Sequence, residues 1–410
     1  GSRRVAMLRL WKISGEELPN IDKEGLENVK GLKLRLRALH GFPVCLQQLL
    51  CDGRRLENSA SLELVRDVQL VLLPVSGAPR LQVSDELLDA LSYGHTEAAR
   101  LLLKAGADQD MRIPGNGQTA LMFASEEGRV DAVRLLLEAG ADQDLCDVLE
   151  DSTALMFACE EGHVDVVQLL LEARAEMHLQ NRSGRTALIL ASEGGHAEVV
   201  GLLLEAKASM SLQDGCSCTA LMRACEKGHG KVASLLLDAG ASTEFRNTSG
   251  RTALLLACEE NQMELLRLLL EAGADKDVQD HYHSTALLLT CEAGRWELVH
   301  LLLTFGAGVD IRGRYHRTAL MSACEKGHLG IARLLLDAGA SIDLQDLENS
   351  TALMLACGEG HFEIAKLLLE AGADRNLQDL SGNTALVIAR AVGSEEIVEL
   401  LSPTRLDSLE

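Results

Sequence analysis

The residues of this chain that could do chemistry recur at a fixed interval. Cys159, Cys225, Cys258, Cys291, Cys324 and Cys357 share one position of a 33-residue register. Glu126, Glu160, Glu193, Glu226, Glu259, Glu292 and Glu325 share another. His163, His196, His229, His328 and His361 share a third, each following a glycine. A catalytic or metal site gathers unlike groups at one point, whereas groups that recur by period stand in rows. No Walker-type loop, His-Glu-x-x-His or Gly-x-Ser-x-Gly motif is present, so neither enzyme chemistry nor a cofactor is expected. His281, His283 and His316 fall in successive units about 10 Å apart. Cys216-x-Cys218 lies two units away, and zinc needs four ligands within about 2.3 Å. No metal is expected, and the Gly-His pairs are expected to be structural.

The period comes from a nine-residue stretch whose clearest copy is Gly184 to Ser192. Its Thr-Ala-Leu core begins at Thr119, Thr153, Thr186, Thr219, Thr252, Thr285, Thr318, Thr351 and Thr384, at intervals of 34 and then 33 residues. Such a period signals a solenoid of one supersecondary unit. Apolar residues make up 47% of the 410 positions and aromatics 3%; that Leu- and Ala-rich balance suits thin helix layers better than a catalytic pocket. A net charge of −22 argues against nucleic acid and anionic membrane surfaces as partners, and no apolar run is long enough for a transmembrane helix. No secretory segment is visible at the start. Cysteines in one column stand too far apart to bridge, so they are expected to be small buried thiols in a reducing, cytoplasmic compartment, the nucleus remaining open.

Residues 1–83 stand outside the period. Met7–Ile13 alternates as a strand, Val29–Leu39 presents a helix face ended by Gly41, and Leu46–Cys51 and Val68–Leu73 read as strands, with Asp52-Gly53 as a turn. One helix on a small sheet, an α+β domain, follows. Glu27-Asn28-Val29-Lys30, Gln47-Gln48-Leu49-Leu50, Asp52-Gly53-Arg54-Arg55-Leu56-Glu57 and Val68–Leu72 resemble the ubiquitin-like β-grasp family over residues 7–74, without a di-glycine tail. The resemblance implies a receptor-binding apolar patch that includes Leu50 and Val71, and ubiquitin-receptor proteins as a partner class; a core role for both residues is the alternative. Pro74–Pro79 carries linker chemistry. The expected division is 1–74 for this domain, 75–83 linker, 84–402 array and 403–410 tail, with domain and array mobile relative to each other or weakly docked.

Within one repeat, Thr351 can cap a first helix with its hydroxyl, Gly360 ends it, a second helix from Phe362 turns Ile364, Leu367 and Leu368 inward, and Gly372 ends that. Helix, tight turn, helix and hairpin at this period resemble the ankyrin repeat over residues 84–402. Residues 85–108 keep the register without Thr-Ala-Leu, giving ten repeats with a capping one first and a charged one last, roughly 100 Å end to end. The family's Pro after Thr and His two residues later are absent; Met122, Ile189, Leu255 and Val387 fill the His position, which predicts apolar packing in place of a hydrogen-bond network. Arg174 and Lys207 replace the glycine that ends the second helix, which marks 170–215 as locally weak.

The resemblance implies protein partners on a concave face built from hairpin tips and first-helix ends. The seven-Glu column opposes the helix dipole there, and either serves a basic partner or is a solubilising feature carried along by near-identical repeats. The tips at 280–283 and 312–317 are aromatic and basic, with Trp296 between them. Tyr282, His283, Trp296, Arg314, Tyr315 and Arg317 are therefore the candidate contacts, unless the tips simply vary. The expectation is a monomeric, non-enzymatic adaptor joining a protein partner to ubiquitin machinery; the alternative is a passive scaffold whose front domain caps the array.

Overall fold

The front sheet follows from alternating leucines. The computed structural model of the chain describes residues 7–12, 14–23, 26–62, 65–74, 80–113 and 115–402. β1 (Met7–Lys12) buries Leu8 and Leu10, and pairs antiparallel with β2 (Glu17–Asp22) and parallel with β5 (Asp67–Leu72). β3 (Gln47–Cys51) runs antiparallel to β5 and to the two-residue β4 (Arg54–Arg55), so the order is β2-β1-β5-β3-β4. α1 (Val29–His40) starts where the Asn28 side chain accepts the Gly31 N–H at 3.0 Å and stops at left-handed Gly41. Its Val29, Leu32 and Leu36 meet Leu49, Val68 and Leu70 in one core. The Asp52-Gly53 turn has φ of 49° and 75°, as a two-residue hairpin needs. β2 escapes the alternation rule because the pairing slips between Leu8 and Leu10, which places its inward residues Leu18 and Ile21 three apart; Pro19 is tolerated because the strand is at the edge.

The contacts divide the chain into two compact units, residues 1–183 and 184–410. The first holds the sheet domain and three helix pairs. α2 (Arg80–Ser92) begins inside the stretch expected as linker, and pairs with α3 (Thr96–Lys104). The remainder of that linker, 75–79, and the expected tail, 403–410, lie outside the described residues, as does Ile13. The sheet domain is docked on this pair. Glu86 accepts the Cys45 N–H at 2.8 Å, Arg37 pairs with Asp89 at 2.7 Å, and Leu101 of α3 packs against the sheet's core. Ala120–Glu126 with Val130–Glu138, and Ala154–Glu161 with Val164–Glu172, are the other pairs of this unit. The second unit holds seven pairs, from Ala187–Gly194 with Ala197–Glu205 to Ala385–Val392 with Glu395–Leu401.

Each first helix is set by its Thr. In seven of nine, the hydroxyl accepts the N–H three residues on at 3.3–3.4 Å. The methionines expected to give only apolar packing do more. The sulfurs of Met122, Met222, Met321 and Met354 accept the Thr N–H at 3.3–3.5 Å, closing a reciprocal cap in which a thioether replaces the usual carboxylate. The glycines at the far end of the helix have φ of 65–79°, and Asn261 takes the same region at 59°. A Cβ on Gly195 would sit 2.6 Å from the His229 ring, whose Nε2–H donates to the Glu193 carbonyl at 2.9 Å. His163 bonds the Glu126 carbonyl and His361 the Glu325 carbonyl in the same way, at 2.9 and 3.0 Å.

All eleven cysteines are free thiols, and the six of the column are buried. Burial pushes Cys225, Cys258, Cys324 and Cys357 up to about 12 from an ordinary 9.0, and raises Cys159 and Cys291 as well. A thiol that ionises in the unfolded chain but not in the folded one leaves stability intact below its unfolded pKa and removes it above. Stability should therefore fall as pH rises from about 9 towards 12, by about 1.4 kcal/mol per pH unit for each thiol. Chemical denaturation across that range checks it, and Cys258→Ala should lower the slope by one thiol's share.

Arg174 and Lys207 hold φ of 63° and 69°, the left-handed region that glycine occupies in the other repeats. Lys207→Gly should add about 1 kcal/mol of stability, read as a higher urea midpoint at unchanged slope; no gain would place the strain elsewhere.

Candidate partner-binding site

The hairpin tips of the second unit are built on one acidic or amide side chain. Five residues before the Thr stand Asp214, Asn247, Asp280, Asp346 and Asp379. One oxygen of each accepts the N–H groups two and four residues on. Asp280 takes Tyr282 and Ser284, both at 2.8 Å, and Asp346 takes Glu348 and Ser350 at 2.9 and 2.8 Å. This is the Asx geometry that lets a short side chain stand in for a backbone turn.

In Asp214, Asp280 and Asp346 the other carboxylate oxygen faces a guanidinium, whereas in Asp379 it accepts from the Asn383 amide at 3.0 Å. The side chains of Asp214, Asp280 and Asp346 are 1%, 0% and 2% exposed, so each needs a countercharge. Arg251, the residue before Thr252, spans Glu259 at the end of its own first helix and Asp280 of the next tip, where Nε lies 3.4 Å from Oδ2. Arg317 holds both Glu325 oxygens at 2.8 Å and reaches Asp346 at 3.6 Å. Cys218 stands where Arg would precede Thr219, and Arg223 substitutes from within the helix. Its Nε and Nη2 meet Asp214 at 2.8 and 2.6 Å, and its Nη1 meets Glu226 at 2.6 Å. Burial alone would lower the Arg223 pKa, but these two carboxylates hold it above the ordinary range.

Not every repeat of this unit carries the arginine: Ser284, Ser350 and Asn383 stand before Thr285, Thr351 and Thr384, and of these three first helices only that of Thr285 keeps the glutamate, Glu292, the other two having Gly358 and Ala391 there. Ser284 precedes Thr285 where Arg would stand, and Gly313 occupies the Asp position of the following tip. A cavity of about 290 Å³ lies there, lined by Tyr282, Ser284, Glu292, Arg314, Tyr315 and Arg317 among others. Without the Asp anchor this tip turns through two consecutive left-handed residues, Tyr315 and His316, at φ of 58° and 59°. The Arg314 guanidinium lies over the Tyr315 ring, 4.8 Å from its centroid.

The cavity thus brings together Tyr282, Glu292, Arg314, Tyr315, Arg317 and Glu325 of the sequence candidates. Arg317 and Glu325 are engaged with each other rather than open. Glu193 pairs with Arg185 at 3.0 Å, while Glu226 and Glu259 are tied as above. Among the described residues Glu292 makes no hydrogen bond or ion pair. His283 turns its tip at φ of 61° and does not line the cavity, and Trp296 lies outside it too, stacked on His300 at 5.4 Å. In the first unit, Glu126 accepts from the Gln118 amide at 2.9 Å, and Glu160 lies at the end of Ala154–Glu161. Leu50 and Val71 share the sheet face opposite α1, half-buried on β3 and β5, where Gln48 faces Val71 and Leu50 faces Gln69. Among the described residues no three His, Cys, Asp or Glu side chains are placed to hold a metal ion.

Ser284 and Gly313 carry no functional signature of their own. Their signal is positional: Ser284 stands between Arg251 and Arg317 of the flanking repeats and Gly313 between Asp280 and Asp346 of the flanking tips, visible only once the tips are aligned on their Thr.

Residues 84–147, 140–214, 206–280, 264–346 and 338–407 each match a family model of ankyrin repeats in three copies. The chain is similar to a solved structure described as the ankyrin repeat domain of Bcl-3, a unique member of the IkappaB protein family. That match has 30% identity and a TM-score of 0.50, over 54% of this chain and 99% of that one. The search of curated proteins gave no match.

Arg223→Met should cost about 3 kcal/mol by leaving Asp214 buried and unpaired. Asp214→Asn keeps the turn acceptor and should recover most of that loss in the double variant, as equilibrium denaturation of the four proteins would show.

Proposed function

Because the chain belongs to the ankyrin-repeat family, we propose that it is a non-enzymatic adaptor that holds a protein partner at the tips around residues 282–317. Ankyrin repeats are protein-interaction scaffolds, and the ten helix pairs are taken as ten repeats. The observation that carries the location is the cavity between two tips, rimmed by Tyr282 and Tyr315, each 56% exposed. Exposed tyrosines beside an arginine are what interface hot spots are made of, whereas Asp214, Arg251 and Asp346 of other tips in this unit are spent on ion pairs.

The front domain offers a second surface. Its strand order, its single helix and the shared face of Leu50 and Val71 support the ubiquitin-like reading, with ubiquitin-receptor proteins as the partners. One observation favours the passive alternative: Glu86 and Arg37 dock this domain on α2 and α3, as a cap would be docked.

A photo-reactive residue placed at 282 or 315 should give the same protein adduct, and one at Trp296 should not; adducts shared equally by all three positions would contradict the assignment. For the front domain, the intact chain should bind an immobilised ubiquitin-receptor domain, and Leu50→Ala with Val71→Ala should weaken it at least about tenfold. Absence of binding leaves the cap.

A further inference from the structure

We infer that the cavity at 282–317 receives an arginine side chain of the bound protein, with Glu292 as its carboxylate partner. The inference deepens the proposed adaptor reading and rests on it. Its ground is the interrupted relay. On either side, Glu259 and Glu325 are each held by an arginine of the chain itself, Arg251 and Arg317. Between them the arginine is replaced by Ser284, yet the glutamate is kept. The space is kept as well, because Gly313 stands where neighbouring tips carry Asp; a Cβ there would lie 2.7 Å from the end of Leu288. An acceptor, a void and a missing guanidinium therefore coincide.

The walls select the same group. A guanidinium is planar and stacks on aromatic faces while it bonds a carboxylate through two N–H groups. Tyr282 and Tyr315 supply exposed rings, one face of Tyr315 being taken by Arg314, and Glu292 supplies the carboxylate. A volume of about 290 Å³ is at the lower bound of ligand pockets, which start at about 300 Å³, and suits one side chain better than a cofactor. Two cations also line the cavity. The charge of Arg317 is taken up by Glu325 and Asp346. Arg314 has no acidic partner among the described residues, so it would repel a run of basic residues and welcome a carboxylate beside the entering arginine. The fitting segment is thus an isolated arginine with an acidic neighbour.

The test uses the full chain and three blocked peptides, Gly-Arg-Asp, its lysine counterpart and its citrulline counterpart, the last matching arginine in shape without its charge. Ring signals of Tyr282 and Tyr315 are followed by NMR. The arginine peptide should saturate them, the lysine peptide should bind more weakly, and the citrulline peptide should be at least about tenfold weaker. Glu292→Gln should lose the same factor, as should Ser284→Arg, which fills the place from within; Glu193→Gln, at a paired position three repeats away, should change nothing. Equal binding of arginine and citrulline, indifference to Glu292→Gln, or no saturable shift with arginine overturns the inference. Cross-links from positions 282 and 315 do not depend on Glu292. If they persist when the arginine dependence fails, only this inference falls; if they are absent, the reading of the tips falls with it.

Discussion

Within each unit, consecutive repeats meet through a recurring contact: a histidine ring laid against a glycine that has no Cβ. The glycine ends the first helix in the left-handed region, and the ring passes within about 2.6–2.7 Å of where a Cβ would be at Gly128, Gly195, Gly294 and Gly327. From there Nε2–H can reach a carbonyl at the end of the preceding first helix, one of the acceptors that a helix C-terminus leaves unpaired. Any larger residue would hold the ring off and separate the repeats. Where the histidine is replaced by Arg295, its guanidinium reaches the carbonyls of Cys258 and Glu259 instead, so the acceptor end is satisfied by a different donor at the same place.

That contact holds the carbonyls of Glu126, Glu193 and Glu325 in the glutamate column, and arginines near the tips hold several of its side chains. Glu193, Glu226, Glu259 and Glu325 each present a carbonyl at the end of a first helix and a carboxylate to an arginine. Seen in the sequence alone, the column is a row of like charges opposed to the helix dipole. In the fold at least four of its seven members are ion-paired, and at Arg251 and Arg317 the buried Asp of the next tip shares the same guanidinium. Stability and the binding surface are therefore made from the same residue types. On the proposed reading, a tip becomes available to a partner where that mutual pairing lapses.

What the sequence makes legible follows from the range of the interaction. The Thr cap, the glycine helix ends and α1 with its Asn28 and Gly41 depend on neighbours within a few residues and are visible in the letters. β2 is hidden because its inward spacing is set by a slip against β1, and β4 because two residues carry no pattern. The cavity is half visible. Tyr282, Arg314, Tyr315 and Arg317 stand out by type, whereas Ser284 and Gly313 matter for what they lack. Arg317 stands out for a reason the fold revises, since its guanidinium is committed to Glu325 and Asp346. The docking of the sheet domain on α2 and α3 through Glu86 and Arg37 joins residues more than forty positions apart, and nothing local announces it.

Where an arginine precedes the Thr at 251 and 317, it, the glutamate that ends the same first helix and the Asp of the next tip act as one unit, which residues 284 and 313 interrupt between them. The most direct measurement is a double-mutant cycle by chemical denaturation on Ser284→Arg, Gly313→Asp and their combination. The clash of a new side chain with Leu288 is common to Gly313→Asp and the double variant, so it cancels in the coupling. A favourable coupling of at least about 1 kcal/mol is predicted, because the introduced guanidinium would serve Glu292 and the introduced carboxylate together. Additive effects would contradict the relay and, with it, the reading of the cavity as its open position.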